Sequence, residues 1–119
     1  MVKAVILVVE DEPLVRLFAS EMIEGAGFDV LQAANSTMAI ATLEDRLDIR
    51  VVFTDVDMPG GVSGIKLAVC IQARWPTVQI IVTSRRPWPA DEPVPARVVF
   101  FPKPYRQDQV IDNLRGMAA

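Results

Sequence analysis

The sequence predicts an α/β fold: a doubly wound, three-layer domain in which helices cover both faces of a five-stranded parallel sheet. Two observations carry this. Short runs rich in Val, Ile and Phe at 4–9, 51–54, 79–83 and 97–101 alternate with longer segments of helical periodicity, and such alternation implies parallel pairing through right-handed crossovers. Those runs are also apolar almost throughout rather than at every second residue, as strands covered on both faces are. With 119 residues, 51% of them hydrophobic, the chain can bury one proper core, and residues 1–119 are expected to form a single domain.

Taken in order, the first run, 4–9, ends in Glu10-Asp11-Glu12, and Pro13 suits the first turn of a helix. Val15, Phe18, Ala19, Met22 and Ala26 follow at helical spacing and are expected to face the core, with Gly27 as the stop. Residues 29–34 are a weaker run and read as an edge strand. Asn35 and Ser36 are capping residues for a second helix that buries Ala39, Ile40, Leu43 and Leu47. A third helix starts near Ser63, buries Ile65, Leu67, Ala68 and Ile71, and ends before Pro76; Cys70, in its middle, is expected to be structural or incidental. The fourth helix is shortened or missing, because 85–96 holds Pro87, Pro89, Pro93 and Pro95, each lacking the N–H that a helix interior needs. A last helix over 107–115 turns Val110, Ile111 and Leu114 inward. The expected strand order is 2-1-3-4-5.

Charge and composition exclude several classes of function. Twelve Lys and Arg against 15 Asp and Glu give a formal net charge of -3, which argues against direct binding to nucleic acid or an anionic membrane. No apolar run reaches the roughly 18 to 20 residues that span a bilayer, and 4–9 lacks a signal-peptide cleavage site. One cysteine permits no internal disulfide, in keeping with a reducing cytoplasm. The absence of histidine excludes His-based catalysis and an internal phosphohistidine.

In an open parallel sheet, ligands bind beyond the carboxyl ends of the strands. Glu10-Asp11 follows the first strand, Asp55 ends the third with Asp57 just beyond, Thr83-Ser84 ends the fourth, and Lys103 follows the fifth. Each alone has a plainer reading as a loop, turn or exposed side chain. Gly60-Gly61-Val62-Ser63-Gly64 matches no phosphate-loop spacing and reads as a turn. Together, parallel neighbours bring the acidic groups to one edge, where a pair of carboxylates 4 Å apart repels by about 4 kcal/mol at an effective dielectric near 20. One lysine cannot neutralise the cluster. A hard divalent cation can, and Mg²⁺ is the usual choice where phosphate chemistry follows.

The set Val8-Val9-Glu10-Asp11-Glu12, Thr54-Asp55-Val56-Asp57-Met58-Pro59-Gly60, Val82-Thr83-Ser84 and Phe100-Phe101-Pro102-Lys103-Pro104-Tyr105 resembles the receiver domain of bacterial two-component response regulators, across essentially the whole chain. The resemblance implies a flavodoxin-like sheet and a protein that is modified rather than a turnover enzyme. It implies that Asp55 takes a phosphoryl group from a sensor histidine kinase, switching a surface read by a downstream protein. Asp11, Asp55 and the backbone carbonyl of Asp57 would ligate Mg²⁺, with Glu10 acting through water. Lys103 would pair with Asp55 and then with phosphoryl oxygens, and Thr83 would follow the phosphoryl group, coupled to the rotamer of Phe100. Lys103–Pro104 is expected to be cis. Such a chain is a single-domain regulator or a receiver excised from a larger protein, with a cytoplasmic location.

The sequence departs from that family in places. Glu10 stands where Asp is commoner, the turn after Asp57 is one residue longer, and Phe100 lacks a tyrosine hydroxyl. The proline-rich 85–96 stretch rebuilds the usual output face around Arg85, Arg86 and Trp88. Arg85 and Asp57 are expected to approach as an ion pair that sets phosphoryl lifetime. Trp88 either plugs an apolar gap or anchors a partner, the plug being favoured. Two rivals remain: a degenerate receiver acting only as an interaction module, and a small haloacid dehalogenase-type phosphatase with Asp55 as nucleophile and Asp57 as general acid. In the latter family the acidic pair follows the Asp-x-Asp strand, whereas here it precedes it.

Overall fold

A computed structural model describes residues 3–57, 63–91 and 93–119. The strands are β1 Val5–Val9, β2 Asp29–Ala33, β3 Ile49–Asp55, β4 Gln79–Ser84 and β5 Val98–Pro102; the helices are α1 Pro13–Gly25, α2 Ser36–Asp45, α3 Gly64–Arg74 and α4 Gln107–Ala118. All neighbouring strands pair in parallel, in the order β2-β1-β3-β4-β5. This is the expected flavodoxin-like arrangement. The expected turn at Gly60-Gly61-Val62-Ser63-Gly64 falls in part outside the described residues, which omit 58–62.

The ends of the elements follow from local chemistry. Pro13 opens α1. The Asn35 side chain accepts the Met38 N–H to start α2, and Ser63 accepts the Lys66 N–H to start α3. Gly27, at φ +100°, makes the left-handed turn into β2. Between β1 and β3 the register shifts so that Val5 pairs with Ile49 and Ile6 with Val51, leaving the charged Arg50 exposed.

Two apolar layers result. On one face Ile6, Val8, Val51, Phe53 and Ile81 pack with Ala19 and Ile23 of α1 and Val110 and Leu114 of α4. On the other, Leu7, Val9, Val52, Ile80 and Val82 pack with Ala39 and Leu43 of α2 and Leu67, Ala68 and Ile71 of α3. At about 25 cal/mol per Å² of buried apolar surface, these layers are the main force holding the sheet.

Two expected core residues are outside. Phe18 is 73% exposed and Leu47 is 89% exposed. In α1 the buried side chains are Ala19, Ser20 and Ile23, so the inward face is turned by somewhat less than one ~100° residue step from the apolar stripe. Arg16, in phase with Ser20 and Ile23, is only half-exposed and reaches the end of β1, where it donates to the Glu10 carbonyl. Leu47 lies beyond the end of α2, in a turn closed by two bonds from Arg46 to the Asp48 carboxylate, at 2.9 and 2.8 Å.

No helix forms among the described residues between β4 and β5. The space it would cover is filled by Trp88, whose ring meets Phe100 edge-on with centroids 5.7 Å apart. Cys70 is half-buried on α3. Among the described residues no helix is long and apolar enough to cross a membrane.

Candidate functional site

The register fixes which strand ends meet. Val9 is level with Thr54, Asp55 with Thr83, and Ser84 with Pro102. The residues just past β1, at the end of β3 and just past β5 therefore share one edge. One carboxylate oxygen from each of Glu10, Asp11 and Asp55 lies within 4.8 Å of the others. The Lys103 Nζ stands 3.7 Å from Glu10 Oε1 and 3.4 Å from Asp55 Oδ1. Glu10 and Asp55 are buried, so this pairing is screened less than one in open water.

Backbone bonds hold the three loops in place. Val56 N–H donates to the Thr83 carbonyl at 2.9 Å, Gly64 N–H to the Val56 carbonyl at 3.0 Å, and Lys103 N–H to the Ser84 carbonyl at 2.8 Å. The Lys103–Pro104 peptide is cis, as expected. Gly64 packs so closely that a Cβ there would strike the Asp55 carbonyl oxygen and come within 2.8 Å of the Val56 Cα. The first residue of α3 is thus wedged against the backbone that carries Asp55.

The electrostatics show a site short of positive charge. Burial pushes the Glu10 carboxyl up to about 7; the Glu12 N–H bond and Lys103 oppose this, and Asp11 and Asp55 add to it. Asp55 is also raised, first by burial and further by Asp57, against the pull of Lys103. Burial, and then Glu10, raise the Tyr105 phenol. A hard divalent cation relieves this imbalance, and the donors are all oxygens, so the residues present fit Mg²⁺.

The site opens into a cleft of about 510 Å³ that Glu12, Asp57, Arg85 and Arg86 also line. Arg85 and Asp57 share this cleft but make no ion pair among the described residues, which corrects the expected contact: both side chains are exposed, where solvent makes such pairs weak. Thr83 is buried and borders a narrow void of about 10 Å³ beside Asp55, Lys103 and Tyr105. Phe100 is level with Val82 rather than Thr83, and packs in the layer with Trp88. Sequence reasoning missed Gly64 and Arg16. The signal for Arg16 was its helical phase with Ala19, Ser20 and Ile23; for Gly64, a glycine at a helix start following a capping serine.

The model of the response regulator receiver domain family matches residues 6–115. The sensor protein TorS of Escherichia coli is 28% identical over 76 residues, 64% of this chain; the chain spans only 8% of the length of that relative. Among solved structures, the receiver domain of the hybrid histidine kinase CckA is 28% identical, with 97% of this chain and 99% of that one covered at a TM-score of 0.78. The response regulator TrrA of Thermotoga maritima, solved with Mg²⁺ and BeF, is 23% identical, covering 98% and 99% at a TM-score of 0.86. A receiver protein of Sinorhizobium medicae is 23% identical, covering 98% and 94% at 0.84. With a family match over nearly its whole length and the family's strand order, the chain belongs to the response regulator receiver domains of two-component phosphorelay signalling.

Proposed function

We propose that the chain accepts a phosphoryl group on Asp55 from the phosphohistidine of a sensor histidine kinase, and that the modified domain presents an altered surface to a downstream protein. The observation that carries this reading is the meeting of Glu10, Asp11 and Asp55 oxygens within 4.8 Å, with Lys103 paired to Glu10 and Asp55. Glu10, Asp11, Asp55 and the Asp57 carbonyl would hold Mg²⁺, which when bound supplies charge neutralisation for the transferring group. An Asp55 carboxylate oxygen forms the new P–O bond as the P–N bond of the donor breaks, and the leaving electron pair stays on the donor's imidazole. Lys103 stands where it can follow the negative charge from Asp55 onto the phosphoryl oxygens. Thr83, a buried hydroxyl level with Asp55 on the neighbouring strand, would follow the phosphoryl group.

The product is a modified protein, not a released one, so the chain acts as an acceptor rather than a turnover enzyme. Phe100 and Trp88 support an output route through β5 and the proline-rich segment. Arg85 and Asp57 flank the approach of water and would set phosphoryl lifetime. A cytoplasmic location, without direct contact to nucleic acid or membrane, is consistent with the net charge of -3. Intact-mass measurement with acetyl phosphate and Mg²⁺ tests the reading. Wild type gains one phosphoryl group, while Asp55→Ala or added chelator abolishes the gain. Catalytic turnover of a phosphate monoester, or an unchanged gain in Asp55→Ala, would contradict it.

A further inference from the structure

Arg16 is a charged residue on the wrong side of its helix. It lies in phase with Ser20 and Ile23, which are wholly buried, and it is itself only half-exposed. Among the described residues its guanidinium makes no ion pair with any neighbouring carboxylate. It donates instead to two uncharged oxygens, from Nη1 to the Glu10 backbone carbonyl at 2.8 Å and from Nε to Gln32 Oε1 at 3.2 Å. A cation held against neutral acceptors orients them more than it neutralises anything.

The acceptor matters because of where it sits. The Glu10 N–H donates to the Ala33 carbonyl of β2 at 3.1 Å, which fixes the peptide before Glu10. The Arg16 bond fixes the peptide after it, the one joining Glu10 to Asp11. With both planes held, the φ and ψ of Glu10 are held too, which fixes the direction in which the Glu10 side chain leaves the backbone and the point from which the Asp11 side chain starts. The planar fork of the arginine meets the Glu10 carbonyl and the Gln32 side-chain oxygen at once from two different nitrogens, whereas a lysine offers a single ammonium nitrogen.

We propose that Arg16 is a positioning residue for the metal-binding pair, clamping the Glu10–Asp11 peptide so that both carboxyl groups meet Asp55 at ligating separation. This rests on the reading that Glu10, Asp11 and Asp55 hold Mg²⁺. Groups that orient ligands in this way typically change metal affinity by 10- to 100-fold when removed.

The test is calorimetric Mg²⁺ titration beside chemical unfolding of the metal-free protein, on wild type, Arg16→Met, Arg16→Lys and Ala19→Gly. Arg16→Met keeps the apolar stem and removes the donors, and is expected to weaken Mg²⁺ binding roughly tenfold or more. Arg16→Lys, with one donor able to reach the carbonyl, falls between it and wild type. Ala19→Gly loosens α1 without touching the loop, and keeps wild-type affinity. Wild-type affinity in Arg16→Met overturns the proposal, as does a loss that Ala19→Gly reproduces at equal stability. If Arg16→Met does not fold, Arg16→Lys decides: weaker binding at an unchanged unfolding midpoint supports the clamp, and wild-type affinity overturns it. Failure of wild type itself to bind Mg²⁺ overturns the metal reading and the clamp together, whereas equal affinities in wild type and variants overturn the clamp alone.

Discussion

Glu10 is a buried carboxyl among other acids. Its carboxyl titrates near 7 when folded, against an ordinary 4.5. Between those values the folded metal-free protein binds more protons than the unfolded chain, so its stability falls as pH rises through that window. Asp55, also raised, adds in the same direction. Glu10→Gln is therefore expected to flatten the decline in urea midpoint between ~pH 5 and ~pH 8, without abolishing the part due to Asp55; an undiminished slope would place the titration elsewhere. Gly64 is set by contact. Gly64→Ala puts a methyl group into the Asp55 carbonyl, an overpacking that costs about 1–3 kcal/mol and moves the phosphoacceptor's backbone. Gly116, helical in α4 with nothing within 4 Å of a built Cβ, is the matched control: Gly116→Ala should stabilise by up to about 1 kcal/mol. Urea unfolding of both variants checks the pair.

At the scale of elements, the segment between β4 and β5 is the most distinctive part of the molecule. Prolines remove the helix, and the sheet face it would cover is closed by one aromatic side chain on another, Trp88 on Phe100. Trp88→Ala is expected to cost about 2–4 kcal/mol, somewhat less than for a wholly buried tryptophan. Unfolding monitored by circular dichroism measures this, and a loss under about 0.5 kcal/mol, as at an exposed site, would show that Trp88 covers nothing. The prolines were legible because proline excludes a helix whatever surrounds it. The tryptophan's partner was not, since packing across a gap depends on the register of β5. The phase of α1 was misread for a related reason: Phe18 is apolar and Arg16 charged, yet a free carbonyl at the end of β1 gives the arginine a partner and leaves the phenylalanine in solvent. Leu47 shows the third limit, for a helix end closed by Arg46 and Asp48 shortens the periodic pattern without altering it.

Across the whole molecule, the site comes from topology more than from any one segment. Glu10 and Asp11 follow β1, Asp55 ends β3, Thr83 lies in β4 and Lys103 follows β5, and the order β2-β1-β3-β4-β5 makes four separated stretches neighbours. That much was readable, because parallel strands carry all their carboxyl ends to one edge and the carboxylates stood at those ends. The bonds that aim them, from Arg16 and around Gly64, were not read, because the helical phase of Arg16 and the glycine after Ser63 mark the donors while their backbone partners are placed only by the fold. Phosphorylation at Asp55 is the central claim, and borohydride reduction tests it at the level of the atom. An aspartyl phosphate is reduced to homoserine, which peptide mass spectrometry locates. After treatment with acetyl phosphate and Mg²⁺, homoserine is predicted at position 55 and nowhere else. Homoserine at position 11 or 57, or at no aspartate while the intact protein still carries a phosphoryl group, would contradict the account.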